Sequence, residues 1–230
     1  MFINWDVTAR FDPSSLASST EGTSTHGIPI PSYGNYGGPN YTAGVEGGTT
    51  LGNPIPAPVD ALDTLFWQHD LVYQHVKDGL ISPRDIPNAI AQADVTLVEG
   101  AYALTKTNLD PEALLYDALA TLTVGAKILT TPSELAYLGN HPLDAGLVLT
   151  AVQAAIPNFE IGLAETPGKE ARSLDGAFHV FEARFEQQLT QAMASFGAPS
   201  TPESSNISAQ VSDSPHQPLL TPPPAMLPAS

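Results

Sequence analysis

The chain has 230 residues, 18 glycines, 22 prolines and no cysteine, and its 24 acidic side chains against 8 basic ones give a net charge of −16. That charge is the wrong sign for neutralising phosphates, which argues against general nucleic-acid binding and against adhesion to anionic lipid through basic side chains. Without cysteine there is no disulfide scaffold, thiolate zinc site, iron–sulfur cluster or thiol nucleophile, so stability must come from a packed core, for which 42% hydrophobic content suffices.

Met1 to Arg10 carries Asp6 and has neither a basic nor an apolar leader region, which predicts no ordinary secretory signal. The longest uncharged apolar run, Ala145 to Phe159, holds 15 residues where a spanning helix needs about 20. The expectation is a soluble protein with no transmembrane helix, exported by another route if at all. Residues 1–57 are rich in Gly, Ser and Thr with short apolar patches such as Ile28 and Ile30, and predict loop with at most a turn or strand. The organisation expected is an irregular segment 1–30, a compact unit 31–107, a helical extension 108–197 packed on it, and a tail 198–230.

Five helical segments carry start signals. Val59 to Asp78 follows Pro58 and places Val59, Leu62, Leu65, Phe66, Val72, Tyr73 and Val76 on one face. Ser82-Pro83-Arg84-Asp85 predicts a cap with proline at the first helical position, opening a helix to Leu104 with Ile86, Ile90, Leu97 and Ala101 as its stripe. Asp110-Pro111 predicts a third helix to Leu129, Thr131-Pro132-Ser133-Glu134 has the form of a capping box for a fourth, and His141 to Ile156 continues that hairpin. Ser173 to Phe196 predicts a last helix with Leu174, Phe178, Phe181, Phe185, Leu189, Met193 and Phe196 on a core-packing side. The tail from Ala198 to Ser230 lacks Lys and Arg, contains Pro222-Pro223-Pro224 and predicts disorder.

Two polar residues fall on apolar faces. His69 lies three and four residues from Phe66, Val72 and Tyr73, and Asp94 lies four from Ile90 and three from Leu97, so both point inward. A buried carboxylate is unfavourable unless a donor meets it, which makes His69 the natural partner of Asp94 and leaves the second imidazole nitrogen free as a base. Asp70 follows about 100° around the helix and Asp63 lies seven residues earlier on that side. Upstream, the glycine-rich run Tyr33-Gly34-Asn35-Tyr36-Gly37-Gly38-Pro39-Asn40-Tyr41-Thr42-Ala43-Gly44 can bend so that backbone carbonyls converge, as a hard cation such as Ca²⁺ requires. His26, His75, His141, His179 and His216 are read as structural or solvated.

Tyr33-Gly34-Asn35-Tyr36-Gly37-Gly38-Pro39, then Pro58-Val59-Asp60-Ala61-Leu62-Asp63, then His69-Asp70-Leu71-Val72-Tyr73 resembles, in order and composition, the calcium loop and first catalytic helix of secreted-type phospholipase A2, over about residues 33–104. The resemblance implies a mainly α fold with a core of two antiparallel helices, a glycine-rich calcium loop and here a helical C-terminal extension. It implies Ca²⁺-dependent hydrolysis of the sn-2 ester of glycerophospholipids at a membrane surface. His69 would be the general base, Asp94 its orienting carboxylate and Tyr73 a brace on that carboxylate. Asp70 and the carbonyls of Tyr36, Gly38 and Asn40 would hold the ion, and Asp63 would be a structural hydrogen-bonding position.

Three features depart from the family's commonest form. Its usual cysteines are absent, which is similar to the phospholipase domains of parvovirus capsids. Asn40 stands where glycine is commoner, and the 17 residues between Asn40 and Pro58 predict a flap over the site. Two further readings stay open: a lipid- or calcium-binding module of weak activity, and a membrane-breaching component of a virion or secretion assembly with 110–196 as the surface for a protein partner.

Overall fold

The computed structural model describes residues 3–11, 28–49 and 56–168, together with scattered positions between 171 and 194. Two strands, β1 (Ile3–Phe11) and β2 (Ile28–Tyr33), pair antiparallel with Ile3 opposite Tyr33 and Phe11 opposite Ile28, and an irregularity interrupts the register between Asn4 and Thr8. The expected irregular segment 1–30 therefore contains strand. Ile3 and Ile30 are buried against the helices, and that cover supplies what a lone two-stranded ribbon lacks in water. A second, minimal hairpin joins β3 (Tyr41–Thr42) and β4 (Val45–Glu46) through Ala43 and Gly44, both at positive φ (58° and 79°). Two consecutive left-handed residues are what a two-residue hairpin turn demands.

The rest is helical. α1 (Ala61–Lys77) starts at Asp60, whose side chain accepts from the Asp63 amide at 2.8 Å. It ends where Gly79 turns to φ +69°, sending its own amide to the Val76 carbonyl and the Leu80 amide back to His75. α2 (Ile86–Leu104) begins one turn later than Ser82-Pro83 predicts. The Asp85 amide bonds the Ser82 carbonyl, making 82–85 a turn, with Asp85 as cap and Pro87 in the first helical turn. A start at Pro83 would have placed Pro87 deeper in the helix, where its missing N–H breaks the ladder.

α3 (Pro111–Thr130) is capped by Asp110, whose carboxylate accepts from the Ala113 amide at 2.9 Å. It is the central helix, buried over most of its length and packed against α2, α4 (Pro132–Asn140) and α5 (Pro142–Glu165). Gly162 of α5 lets that helix approach closely, since a Cβ there would lie 2.6 Å from the Leu115 amide nitrogen. α5 runs past the expected end at Ile156, through Pro157 to Glu165, because Pro157 sits on the exposed side where water can serve the carbonyl one turn back. By length and composition alone α3 and α5 could cross a membrane, unlike the 15-residue estimate from Ala145 to Phe159; α3, however, is a core helix and α5 buries Val148, Val152 and Phe159 against it.

Thr131 does stand at the start of α4, but its side chain makes no capping bond, and Glu134 is turned inward. Of the last expected helix, the described positions between 171 and 194 are helical, with Leu174, Phe178, Phe185 and Leu189 buried in the core; Phe181, Met193 and Phe196 lie outside the described residues, as does the whole tail from 198. The fold is mainly α, as expected.

One aromatic cluster ties the amino-terminal half to the helices. Tyr33 stacks on Tyr116 at 5.0 Å, Phe66 meets Tyr116 edge-on at 5.5 Å, and the Tyr116 hydroxyl donates to the Pro31 carbonyl at 3.0 Å. These rings fix β2 and the loop after it against α1 and α3, each contributing roughly 1.5–3 kcal/mol relative to exposure.

Candidate active site

Helical periodicity divides α1 into two working sides. Asp63, Phe66 and Asp70 face the glycine-rich loop; Leu65, Gln68, His69 and Val72 face α2.

Asp63 is fully buried and organises the loop. Its carboxylate accepts from the backbone amides of Asn35 (3.0 Å), Tyr36 (2.8 Å) and Val59 (2.9 Å). Burial raises its pKa above the usual carboxylate value, and the three amides pull against that rise and so limit the cost of the buried carboxyl. The approach is close enough to require glycine: a Cβ on Gly34, itself at φ +56°, would lie 2.5 Å from Asp63 Cγ. Asn40 takes φ +54°, the left-handed conformation that asparagine tolerates best among non-glycine residues. The Gly38 carbonyl accepts from the Tyr41 amide at 3.2 Å and that of Asn40 from Gly47 at 2.6 Å. A carbonyl oxygen has a second lone pair, so these bonds leave each able to act as a ligand.

Asp70 projects beside the imidazole, with Oδ1 3.7 Å from His69 Nδ1, and accepts the Thr42 hydroxyl on Oδ2. Thr42 belongs to the stretch predicted as a flap, and it reaches Asp70 from β3; residues 50–55 of that stretch lie outside the described residues. Burial raises the Asp70 pKa against the lowering influence of His69 and Thr42.

His69 Nε2 and Asp94 Oδ1 are 2.7 Å apart, and the Tyr73 hydroxyl donates to the same oxygen at 2.9 Å. An ionised carboxylate only accepts, so Nε2 carries a proton, and in the neutral form of the ring the Nδ1 lone pair faces Asp70. The tilted Tyr73 ring, 4.6 Å from the imidazole, limits its rotation. Burial would lower the pKa of His69, but the two flanking carboxylates of Asp70 and Asp94 overcome it and push the value up to about 9. Burial would raise Asp94, yet His69 and Lys127 together hold it below the usual carboxylate range.

Sequence reasoning missed Lys127 and Glu134. Lys127 of α3 pairs with Asp94 Oδ2, donates to the Tyr73 hydroxyl at 2.9 Å and meets Glu134 Oε1 at 2.7 Å. Glu134, read from the sequence as a capping residue, is 1% exposed. The signal was a single cation on a mainly apolar helix that contains no other Lys or Arg.

Beside the imidazole a cleft of about 300 Å³ runs between α1 and α2, walled by Leu65, Val72, Ile81, Ala89, Ala93 and Leu97. Such a volume is of the size that accepts small apolar groups. The other described histidines stay apart: His75 is half-buried on α1, His141 stacks on Tyr137 at 4.0 Å, and His179 lies 3.5 Å from Asp175; His26 and His216 lie outside the described residues.

Comparison with known protein families, characterised proteins and solved structures returns no match. The chemistry must therefore be argued from the site. With its pKa near 9 the imidazole is mostly protonated at neutral pH. Once Nδ1 gives up that proton, an imidazole held at Nε2 by a buried carboxylate, its other nitrogen turned to a partly open space, is an arrangement for taking a proton from water or another weak acid.

Proposed function

We propose that this protein hydrolyses the sn-2 ester of glycerophospholipids with Ca²⁺, as the resemblance to secreted-type phospholipase A2 implies. The observation that carries the reading is the His69–Asp94 bond at 2.7 Å with Nδ1 turned toward Asp70, next to a loop that Asp63 ties to the same helix.

Among the described residues no three Asp, Glu or His side chains gather as ligands, so a cation here would rest on Asp70 and on the carbonyls of Tyr36, Gly38 and Asn40. That all-oxygen donor set suits a hard cation. When bound, Ca²⁺ would supply the positive field for the oxyanion that develops on the ester. His69 Nδ1, in the neutral form of the ring, then accepts a proton from the attacking water and passes it to the glycerol oxygen that leaves as the ester C–O bond breaks; Asp94 stabilises the imidazolium between these steps, and Tyr73 keeps Asp94 in place. No serine nucleophile is needed, and the chain contains no Gly-x-Ser-x-Gly.

The test is fatty-acid release from phosphatidylcholine vesicles. Release should need Ca²⁺ and fall at least a thousandfold in His69→Gln with the helical spectrum retained; undiminished hydrolysis in that variant, or in excess chelator, sinks the reading. The net charge of −16 predicts weaker action on anionic vesicles than on zwitterionic ones.

One observation favours the second reading, a lipid- or calcium-binding module of weak activity. The Thr42 hydroxyl already occupies an oxygen of Asp70. Calcium binding or vesicle association without released fatty acid, together with activity gained in Thr42→Val, would favour it.

A further inference from the structure

We propose that Lys127 is a positioning residue for the His69–Asp94 pair, supplied by α3 from beyond the stretch that carries the resemblance, with Glu134 as its counter-ion.

Asp94 Oδ1 is taken by two donors, His69 Nε2 and the Tyr73 hydroxyl. A carboxylate held only through one oxygen can rotate about its Cβ–Cγ bond and swing the accepting lone pair away from the imidazole. Lys127 removes that freedom by holding Oδ2. An ammonium has three protons to donate, and three acceptors surround this one: Asp94 Oδ2, the Tyr73 hydroxyl at 2.9 Å and Glu134 Oε1 at 2.7 Å. Because Tyr73 accepts from Lys127 and donates to Asp94, the three groups form a closed ring that sets the plane of the carboxylate.

Charge leads to the same assignment. Asp94 and Glu134 are both sealed from solvent, with side chains 1% and 2% exposed, and Lys127 bridges the two. Removing the ammonium would leave Glu134 without a cation and Asp94 with His69 alone, and Asp94 would relieve its repulsion with Glu134 by turning or by taking up a proton. Either change spoils its hold on His69. The catalytic pair thus depends on helices that the resemblance does not cover: α3 supplies Lys127 and α4 supplies Glu134.

The experiment uses the full chain carrying Lys127→Met with Glu134→Gln, so that no buried carboxyl is orphaned, beside Lys127→Arg and the distant control Lys106→Met. The activity arm rests on the hydrolase reading. The double variant should unfold cooperatively yet release fatty acid from phosphatidylcholine vesicles with kcat lowered ten- to hundredfold and KM within about threefold, as misorientation of a general base predicts. Lys127→Arg keeps the charge and should fall between, three- to tenfold below wild type, while Lys106→Met should match wild type. The second arm is independent of turnover. The hydrogen-bonded Nε2 proton of His69, followed by NMR of ¹⁵N-histidine protein, should shift in the double variant and in Lys127→Arg but not in Lys106→Met. Wild-type kcat together with an unmoved resonance in both Lys127 variants overturns the proposal. A shifted resonance in protein that releases no fatty acid even as wild type upholds the positioning role and overturns the hydrolase reading instead.

Discussion

Asp94 and Asp117 are buried to the same depth, at 0% and 1% exposure, on neighbouring helices, and the two regions treat them in opposite ways. Where α1, α2 and α3 meet, three side chains aim donors at Asp94, and it is held ionised. On α3, no hydrogen-bond partner reaches Asp117 Oδ2 or the Thr121 hydroxyl one turn further on. Burial alone pushes the Asp117 carboxyl up to about 8, so it is mostly protonated at neutral pH. Depth of burial therefore says little about a carboxyl's role. What separates an operating carboxylate from a tolerated acid is whether the fold supplies donors to it. Asp63, fully buried with three backbone amides on it, belongs with Asp94.

The contrast can be broken most directly at Asp63. Asp63→Ala should lower stability by about 3–5 kcal/mol, since it orphans three amides that now meet a charged acceptor. Chemical denaturation measures this, and a loss below about 1 kcal/mol would put Asp63 on the side of Asp117. The reverse result is expected at Asp117 itself, where Asp117→Leu should raise stability by about 2–4 kcal/mol at pH 8 and by much less near pH 5. The sign follows from linkage. The folded pKa, about 8, lies above the unfolded value near 3.9, so stability from the protonated form is full below about pH 4 and is lost as pH rises through 8. A stability profile whose decline over that window is unchanged in Asp117→Leu would contradict the assignment.

A smaller effect sharpens how tightly the loop is tied to Asp63. Gly34→Ala meets both a positive φ and Asp63 Cγ at 2.5 Å, and should cost about 2–3 kcal/mol. Gly44→Ala, at φ +79° but with Asn35 Oδ1 no nearer than 3.5 Å, should cost only about 1 kcal/mol. Equal losses in melting experiments would mean that conformation alone, and not contact with Asp63, demands glycine at 34. The smallest expected change is Asp110→Ala, about 1 kcal/mol for one lost helix cap far from both carboxyls. A similar loss with altered fatty-acid release would show that α3 transmits its stability to Asp94 through Lys127.

Much of the candidate site was readable from residue order, because its members sit on two helices whose period is known. His69 and Tyr73 are one turn apart, Asp94 interrupts an apolar stripe, and a buried carboxylate facing an inward histidine has few other places to put its charge. The reading was weaker wherever a residue's partner came from far along the chain. Glu134 matched a local capping pattern, yet its side chain turned to Lys127 instead, where burial and the neighbouring Asp94 push its pKa up to about 7 against the pull of the ammonium. Thr42 looked like part of a flap and reaches Asp70 from 28 residues away. The sequence allowed a strand somewhere in residues 1–57 without placing β1, because its pairing with β2 and the cover from the helices, not its own composition, make it a strand.

By itself the sequence determined the absence of thiol chemistry, the helices with most of their limits, and the inward direction of His69 and Asp94; these follow from composition and from a 3.6-residue period that acts over a few turns. Tertiary structure decided which oxygen of Asp94 each donor takes, that Lys127 and Glu134 join the pair, and that Asp117 is left neutral while Asp63 and Asp94 have donors. Those outcomes depend on distances between segments tens of residues apart, and the energy of a buried charge varies too steeply with such distances to be read from any one segment.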